Sequence, residues 1–237
     1  MIWLLNGWIL KKITKSKEPK SLTAYRSTIS HKNLEDSNIY EDFKEKTKEQ
    51  CREDKVDNLR KQLLQEQGYI CCYCMSRIDC EHSKIEHFRP QTKNRDVQID
   101  YQNLFIACSG GEGSKAKEQF CDTKKGEKDL NYIDLLSTIE NSIHYVKSAK
   151  NISVMSINKN IDNEMNDILN LNVNLLGRNR REVYDGVIKN LKSRRYTISS
   201  IQKALNYYQT QHNGKFEPYC EMIVYFLTKK LKSKGIK

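Results

Sequence analysis

Four cysteines constrain this chain more than any other feature. Cys71-x-x-Cys74 precedes the run Ile85-Glu86-His87-Phe88-Arg89-Pro90, and Cys108 and Cys121 follow it. Two thiolates separated by two residues can grip one tetrahedral ion from a tight turn, and a second pair brought together by a loop completes the set. Ser109 to Gln119, reading SGGEGSKAKEQ, has the glycine content of such a surface loop. The expected centre of the fold is therefore a zinc-pinned hairpin and helix. Cys72, between the first two ligands, should point the other way. Spacing alone leaves two other arrangements open: a compact Cys71, Cys74, Cys80, His82 site, or thiols that are simply small buried apolar groups.

The bracketed run carries the chemistry. An acidic residue beside a histidine, closed by a proline, sets a proton acceptor next to a hard-metal ligand. Phosphodiester hydrolysis needs an activated water, neutralised phosphate charge and a stabilised leaving oxygen. A neutral His87 supplies the first as general base. One divalent cation on Glu86 and Asp122 supplies the other two. Neighbouring strand residues point to opposite faces, so a bend at Arg89-Pro90 is expected to bring both to one phosphate. Asn103 is expected to tie down the intervening loop through its amide and so hold His87. Taken singly, these residues have plainer readings: a structural histidine, a turn asparagine, an N-cap aspartate. Their order along the chain is what favours catalysis.

At 237 residues the chain suits one substantial domain or two small ones. Its 41 Lys and Arg against 30 acidic residues give a net charge of +11, which fits a polyanionic partner such as nucleic acid, although a well-solvated surface is the plain alternative. Arg89, Lys124, Lys125, Arg180 and Arg181 are the candidate phosphate contacts. Met1 to Leu10 is apolar, too short to span a bilayer, and reads as a strand, a packing arm or an upstream extension. Eight cysteines without an export signal point to a reducing cytoplasm, with no membrane role, and to Cys51 and Cys220 as packed thiols. Three segments are expected: an extended arm to residue 35, a helical lead-in and metal finger over 36–130, and a mainly helical region over 131–237 that acts as a docking and nucleic-acid platform. Tyr40 to Gln67 should be helical and stop at Gly68, and a short two-stranded element should include Ile143 to Val146 and Ile152 to Val154. Stripes at Val183, Tyr184, Val187, Ile188, Leu191 and at Tyr219, Met222, Ile223, Phe226, Leu227 read as helical core, with Pro218 in a first turn. The fold class is α+β, mainly helical around the finger.

With these residues in place, the stretch from Cys71 to Gly126 resembles an HNH endonuclease domain of the His-Me finger (ββα-metal) class. Such domains carry a CxxC pair, an Asp/Glu-His-x-x-Pro strand, an Asn-Leu turn, then Cys and Cys-His-Asn-x-Lys-Gly on a helix. Here those positions are Cys71 and Cys74, Glu86-His87 with Pro90, Asn103-Leu104, Cys108, and Cys121-Asp122-Thr123-Lys124-Lys125-Gly126. The resemblance implies His87 as general base, Mg2+ or Mn2+ near Glu86 and Asp122, and structural Zn2+ on the four cysteines. Asp122 and Thr123 depart from the usual His and Asn, which favours a hard cation over a softer one. Scattered motifs elsewhere are similar to the nuclease subunit of Septu-type anti-phage systems, which also occur as retron effectors: Lys11-Lys12-Ile13, Glu18 to Leu22, Asp100 to Leu104, Leu169 to Asn172 and Arg180-Arg181. That resemblance implies cleavage of nucleic acid, DNA before RNA, an ABC/SMC-like ATPase partner and, in the retron setting, a reverse transcriptase with its msDNA. The rival expectation is a zinc-stabilised binding or interaction subunit without catalysis.

Overall fold

The computed structural model describes residues 11–29, 39–47, 59–137 and 142–235. The apolar start at Met1 to Leu10 lies outside those residues, as does Cys51. Residues 11–19 run extended across the core: the Ile13 amide donates to Leu135 O at 2.9 Å, and Lys11 pairs with Glu221 at 2.7 Å. The expected extended arm does not continue to residue 35. After Pro19 the chain forms helix α1 (Lys20–Ser27), which buries Leu22 and Tyr25. That apolar pair, three residues apart, seats one helical face, and the Tyr25 hydroxyl anchors it to Ile39 O (3.0 Å) and Asp42 (2.6 Å) on α2 (Ile39–Thr47).

Helix α3 (Leu59–Glu66) buries Leu59, Leu63 and Leu64 on one face. It stops at Gly68, whose φ of +58° suits glycine and where a Cβ would meet the Phe216 ring at 2.4 Å. Strand β1 (Ser83–His87) pairs antiparallel with β2 (Leu104–Cys108), setting Glu86 opposite Phe105 and His87 opposite Leu104. Every residue of β2 is buried. Its second edge is satisfied by a side chain rather than a strand: the Gln67 amide accepts from Ile106 N (2.8 Å) and donates to Ile106 O (2.7 Å), while Cys72 N donates to the same oxygen at 3.1 Å. Helix α4 (Cys121–Lys125) follows the loop at 109–120.

The second hairpin is β3 (Ile143–Lys147) against β4 (Ile152–Ser156). Beyond it come α5 (Lys159–Asn163), a π-helical turn (Glu164–Ile168), and helices α6 (Asn174–Ser193), α7 (Ile198–Gln209) and α8 (Cys220–Lys232). Val187 and Leu191 of the first stripe, and Met222, Ile223 and Leu227 of the second, are buried. Pro218 precedes α8 rather than opening it, because Tyr219 takes the left-handed conformation at the helix cap. One apolar core joins residues from Ile13 to Leu231. Among the described residues no helix is long and apolar enough to cross a membrane.

Lys15 shows how tightly residues 11–19 are held. Its ammonium donates to Leu104 O, sits 3.5 Å from Glu66, and lies 4.3 Å over the Tyr101 ring. Burial lowers its pKa from 10.5 to about 8, despite the nearby Glu66 charge. Between those two values the unfolded chain binds more protons than the folded one, so this residue makes stability rise with pH. We expect the stability difference between the natural chain and Lys15→Met to grow by about 1–2 kcal/mol between mildly and strongly alkaline buffer within that window. Urea unfolding of both proteins across the window measures it, and parallel pH profiles would contradict it.

Candidate metal centre and histidine pocket

The four cysteines meet. Cys71 and Cys121 Sγ are 3.9 Å apart, Cys74 and Cys108 Sγ 3.8 Å, and all four sulfurs are buried within 4.8 Å of one another. Tetrahedral zinc with bonds of about 2.3 Å requires sulfur–sulfur edges of about 3.8 Å, so the set already has the right size. Cys71 and Cys74 come from a turn closed by Met75 N donating to Cys71 O (3.0 Å) and Cys71 N to Ser76 O (2.9 Å). Cys108 ends β2 and Cys121 opens α4. The Cys108 amide donates to Cys71 Sγ at 3.3 Å, and Ser76 Oγ lies 2.9 Å from Cys74 Sγ, contacts of the kind that steady metal-bound thiolates.

Burial opposes charge on Cys71, but hydrogen bonds from Cys108, Cys121, Cys72 and Cys74 outweigh it and hold that thiol well below its usual range. Burial and the neighbouring Cys108, Cys71 and Cys74 sulfurs push Cys121 well up. Four thiolates so close need a cation between them, and these residues can hold a structural metal such as zinc. The compact alternative fails: Cys80 is disulfide-bonded, and His82 is exposed with Nδ1 2.9 Å from Asp79. That disulfide departs from the expectation of fully reduced cysteines. Cys220 is a free buried thiol.

The sulfur cluster joins the pieces that carry the second site. Tyr73, inside the CxxC turn, donates its hydroxyl to Glu86 Oε1 at 2.7 Å. Glu86 projects inward from β1 and is 2% exposed; Lys125 from α4 pairs with the same oxygen at 2.7 Å and donates to His87 O at 3.0 Å. Asp122, one residue after a sulfur ligand, faces Glu86. Burial first, and then the Asp122 carboxyl, drive Glu86 well above the usual carboxylate range, with Lys125 acting against them. Glu86 thus meets Tyr73, Lys125 and the Asp122 carboxyl in one buried cluster.

His87 occupies the opposite side of β1. Its Nε2 lies 2.8 Å from Gln98 O, and its ring meets Tyr40 edge to face at 4.5 Å. A carbonyl can only accept, so Nε2 carries the proton and Nδ1 presents a lone pair. Burial depresses the His87 pKa below 6.5, which keeps the imidazole neutral at pH 7. Asn103 braces the loop after the strand: its Oδ1 accepts from Arg89 N (2.7 Å), and its Nδ2 donates to Arg89 O (3.2 Å) and Val97 O (3.1 Å).

The expected phosphate contacts need correction. Lys125 is 2% exposed and committed to Glu86, an internal countercharge rather than a surface cation. Arg180 is also 2% exposed and donates to Ile152 O, because α6 turns that position onto β4. Arg181 is taken by Asp185 (2.7 Å) and the carbonyls of Ser148 and Ala149, and Lys124 reaches Ala116 O. Arg89 remains exposed. Sequence reasoning did not find Tyr40, Tyr73 and Gln98; of these only Tyr73 had a local signal, its place between two ligands.

No family model matches the chain, and no characterised protein matches its sequence at a significant level.

Proposed function

We propose that the chain is a metal-dependent endonuclease of HNH, ββα-metal architecture that hydrolyses nucleic-acid phosphodiester bonds, DNA in preference to RNA. The observation that carries this reading is the protonation pattern of His87. Its one N–H is spent on Gln98 O, its pKa is depressed, and the preceding residue on β1, Glu86, forms half of a carboxyl pair on the strand's other face. In this reading His87 is the base, and Glu86 with Asp122 of α4 would supply the oxygen ligands once the strand end bends toward the phosphate.

In this reading His87 Nδ1 takes a proton from the water that attacks phosphorus, and the bond to the 3′ oxygen breaks. Gln98 O fixes the tautomer, and Asn103 holds the loop that keeps the ring in place. Mg2+ or Mn2+ on Glu86 and Asp122 would neutralise phosphate charge and stabilise the departing oxygen. Lys125 bridges Glu86 Oε1 and the His87 carbonyl, and its charge opposes the burial and the Asp122 carboxyl that push the Glu86 pKa up. The same reading makes the chain the effector of a Septu-type or retron anti-phage complex with an ABC/SMC-like ATPase, on the strength of the motifs at Lys11 to Ile13, Glu18 to Leu22 and Leu169 to Asn172.

One observation favours a second reading. Glu86 already has a cationic partner in Lys125, as it would in a zinc-stabilised binding module without catalysis. Incubation of the purified chain, alone and with its co-expressed ATPase, separates the two. Supercoiled plasmid or single-stranded circular DNA should be cut with Mg2+ or Mn2+ ahead of RNA, and all should be spared without divalent cation. Intact substrates under every condition would leave only the binding module.

A further inference from the structure

The C-terminal helices carry a basic groove that the nuclease site does not use. Residues 186–204 contain five cations, Lys189, Lys192, Arg194, Arg195 and Lys203, and no acid. Residues 225–235 add Lys229, Lys230, Lys232 and Lys234, again without an acid. These nine side chains enter none of the ion pairs among the described residues. Lys230 lies 5.7 Å over the Tyr196 ring, which brings the basic end of α8 to the turn between α6 and α7.

Between α6 and α7 lies a cavity of about 880 Å³. One wall carries Gly186, Asn190 and Arg194 at four-residue spacing; the other carries Ser200, Lys203 and Tyr207 on one face of α7. Tyr207 is 44% exposed. The one acid in the lining, Glu217, accepts the Tyr207 hydroxyl at 2.9 Å and is thereby occupied. Gly186 sits in mid-helix, where it weakens α6, and a Cβ there would meet nothing within 4 Å. Its absent side chain leaves the groove open.

We propose that this groove binds single-stranded nucleic acid. Arg194 on one wall and Lys203 on the other meet phosphates, and the half-exposed Tyr207 ring, stacked on His212 at 3.9 Å, forms an aromatic step against which a base packs without regard to sequence. A duplex presents no free base faces and is too broad to enter a cleft between two helices. The groove's service as a substrate track rests on the nuclease reading, whereas strand binding itself does not.

Fluorescence anisotropy of 5′-labelled dT and rU oligomers and of a DNA duplex, without added divalent cation, tests the proposal. The single strands should bind ahead of the duplex, and either sugar supports the proposal. Arg194→Glu with Lys203→Glu should weaken strand binding at least ~10-fold and flatten its salt dependence by about 1.4 in log–log slope, two phosphate contacts' worth. Gly186→Trp, which changes no charge, should weaken it comparably at unchanged helicity. Unaltered affinity in both variants overturns the proposal, as does tighter duplex binding indifferent to Gly186→Trp, or preference for polyglutamate over either strand. Strand binding without cleavage in the plasmid assay would sink the nuclease reading alone; cleavage with unaltered binding by both variants would sink only the groove.

Discussion

His87→Ala should lower the rate of phosphodiester cleavage by about 10²–10⁴-fold, the usual contribution of a positioned general base. The side chain is half-buried at the end of β1, away from the sulfur cluster, so zinc content should stay at the natural level. Removing the ring takes one hydrogen bond from Gln98 O and the edge-to-face contact from Tyr40, a loss of about 1–3 kcal/mol in stability that thermal unfolding will register. Any cleavage by the natural protein should already be on its plateau at pH 7, because burial holds the imidazole pKa below 6.5, and should fall on acidification as Nδ1 is protonated. Full cleavage by the alanine variant, or a rate that keeps climbing well above neutrality, would remove His87 from the base role.

Stripping the metal from the sulfur cluster should do more damage to the fold than any single substitution at the histidine pocket. Cys108→Ser or a strong zinc chelator is expected to abolish bound zinc and to cost at least ~3 kcal/mol of stability, since structural zinc contributes about 10–16 kcal/mol to peptides with little core of their own. Cleavage should disappear with the metal, because β1, α4 and the Tyr73 turn are aligned through it. Cys220→Ala, at a buried thiol outside the cluster, should keep its zinc. Elemental analysis with unfolding curves decides the matter: a Cys108→Ser protein with the full zinc complement would mean that the four sulfurs are not its ligands.

The sulfur cluster was legible because ligand spacing is a local property. A CxxC turn and a glycine-rich loop between two further cysteines need no knowledge of the rest of the fold. The hairpin and both C-terminal stripes were legible through their periodicity. Lys125 was not, since a lysine in a basic stretch reads as solvated until a carboxylate from another element is placed beside it. Arg180 was misread for the same reason: its charge dominates any sequence reading, while its position on the inner face of α6 depends on where β4 packs. Tyr40 and Gln98 reach His87 from elements with no motif of their own. The helix at Lys20–Ser27 was hidden by its short length and polar composition, with only Leu22 and Tyr25 to mark an apolar face.

The loop that joins two of the sulfur ligands is rigid at its root and free at its tip. Gly110 could not become alanine without driving a Cβ to 2.1 Å from Phe120 O, and Thr123 Oγ1 fastens Ser109 O at 2.8 Å, whereas a Cβ at Gly113 would touch nothing. Extra residues spliced in at Gly113 would therefore project into solvent while both ends stay clamped. An epitope or a dye placed there would ride on the loop between Cys108 and Cys121, a ready reporter on the folding of the sulfur cluster.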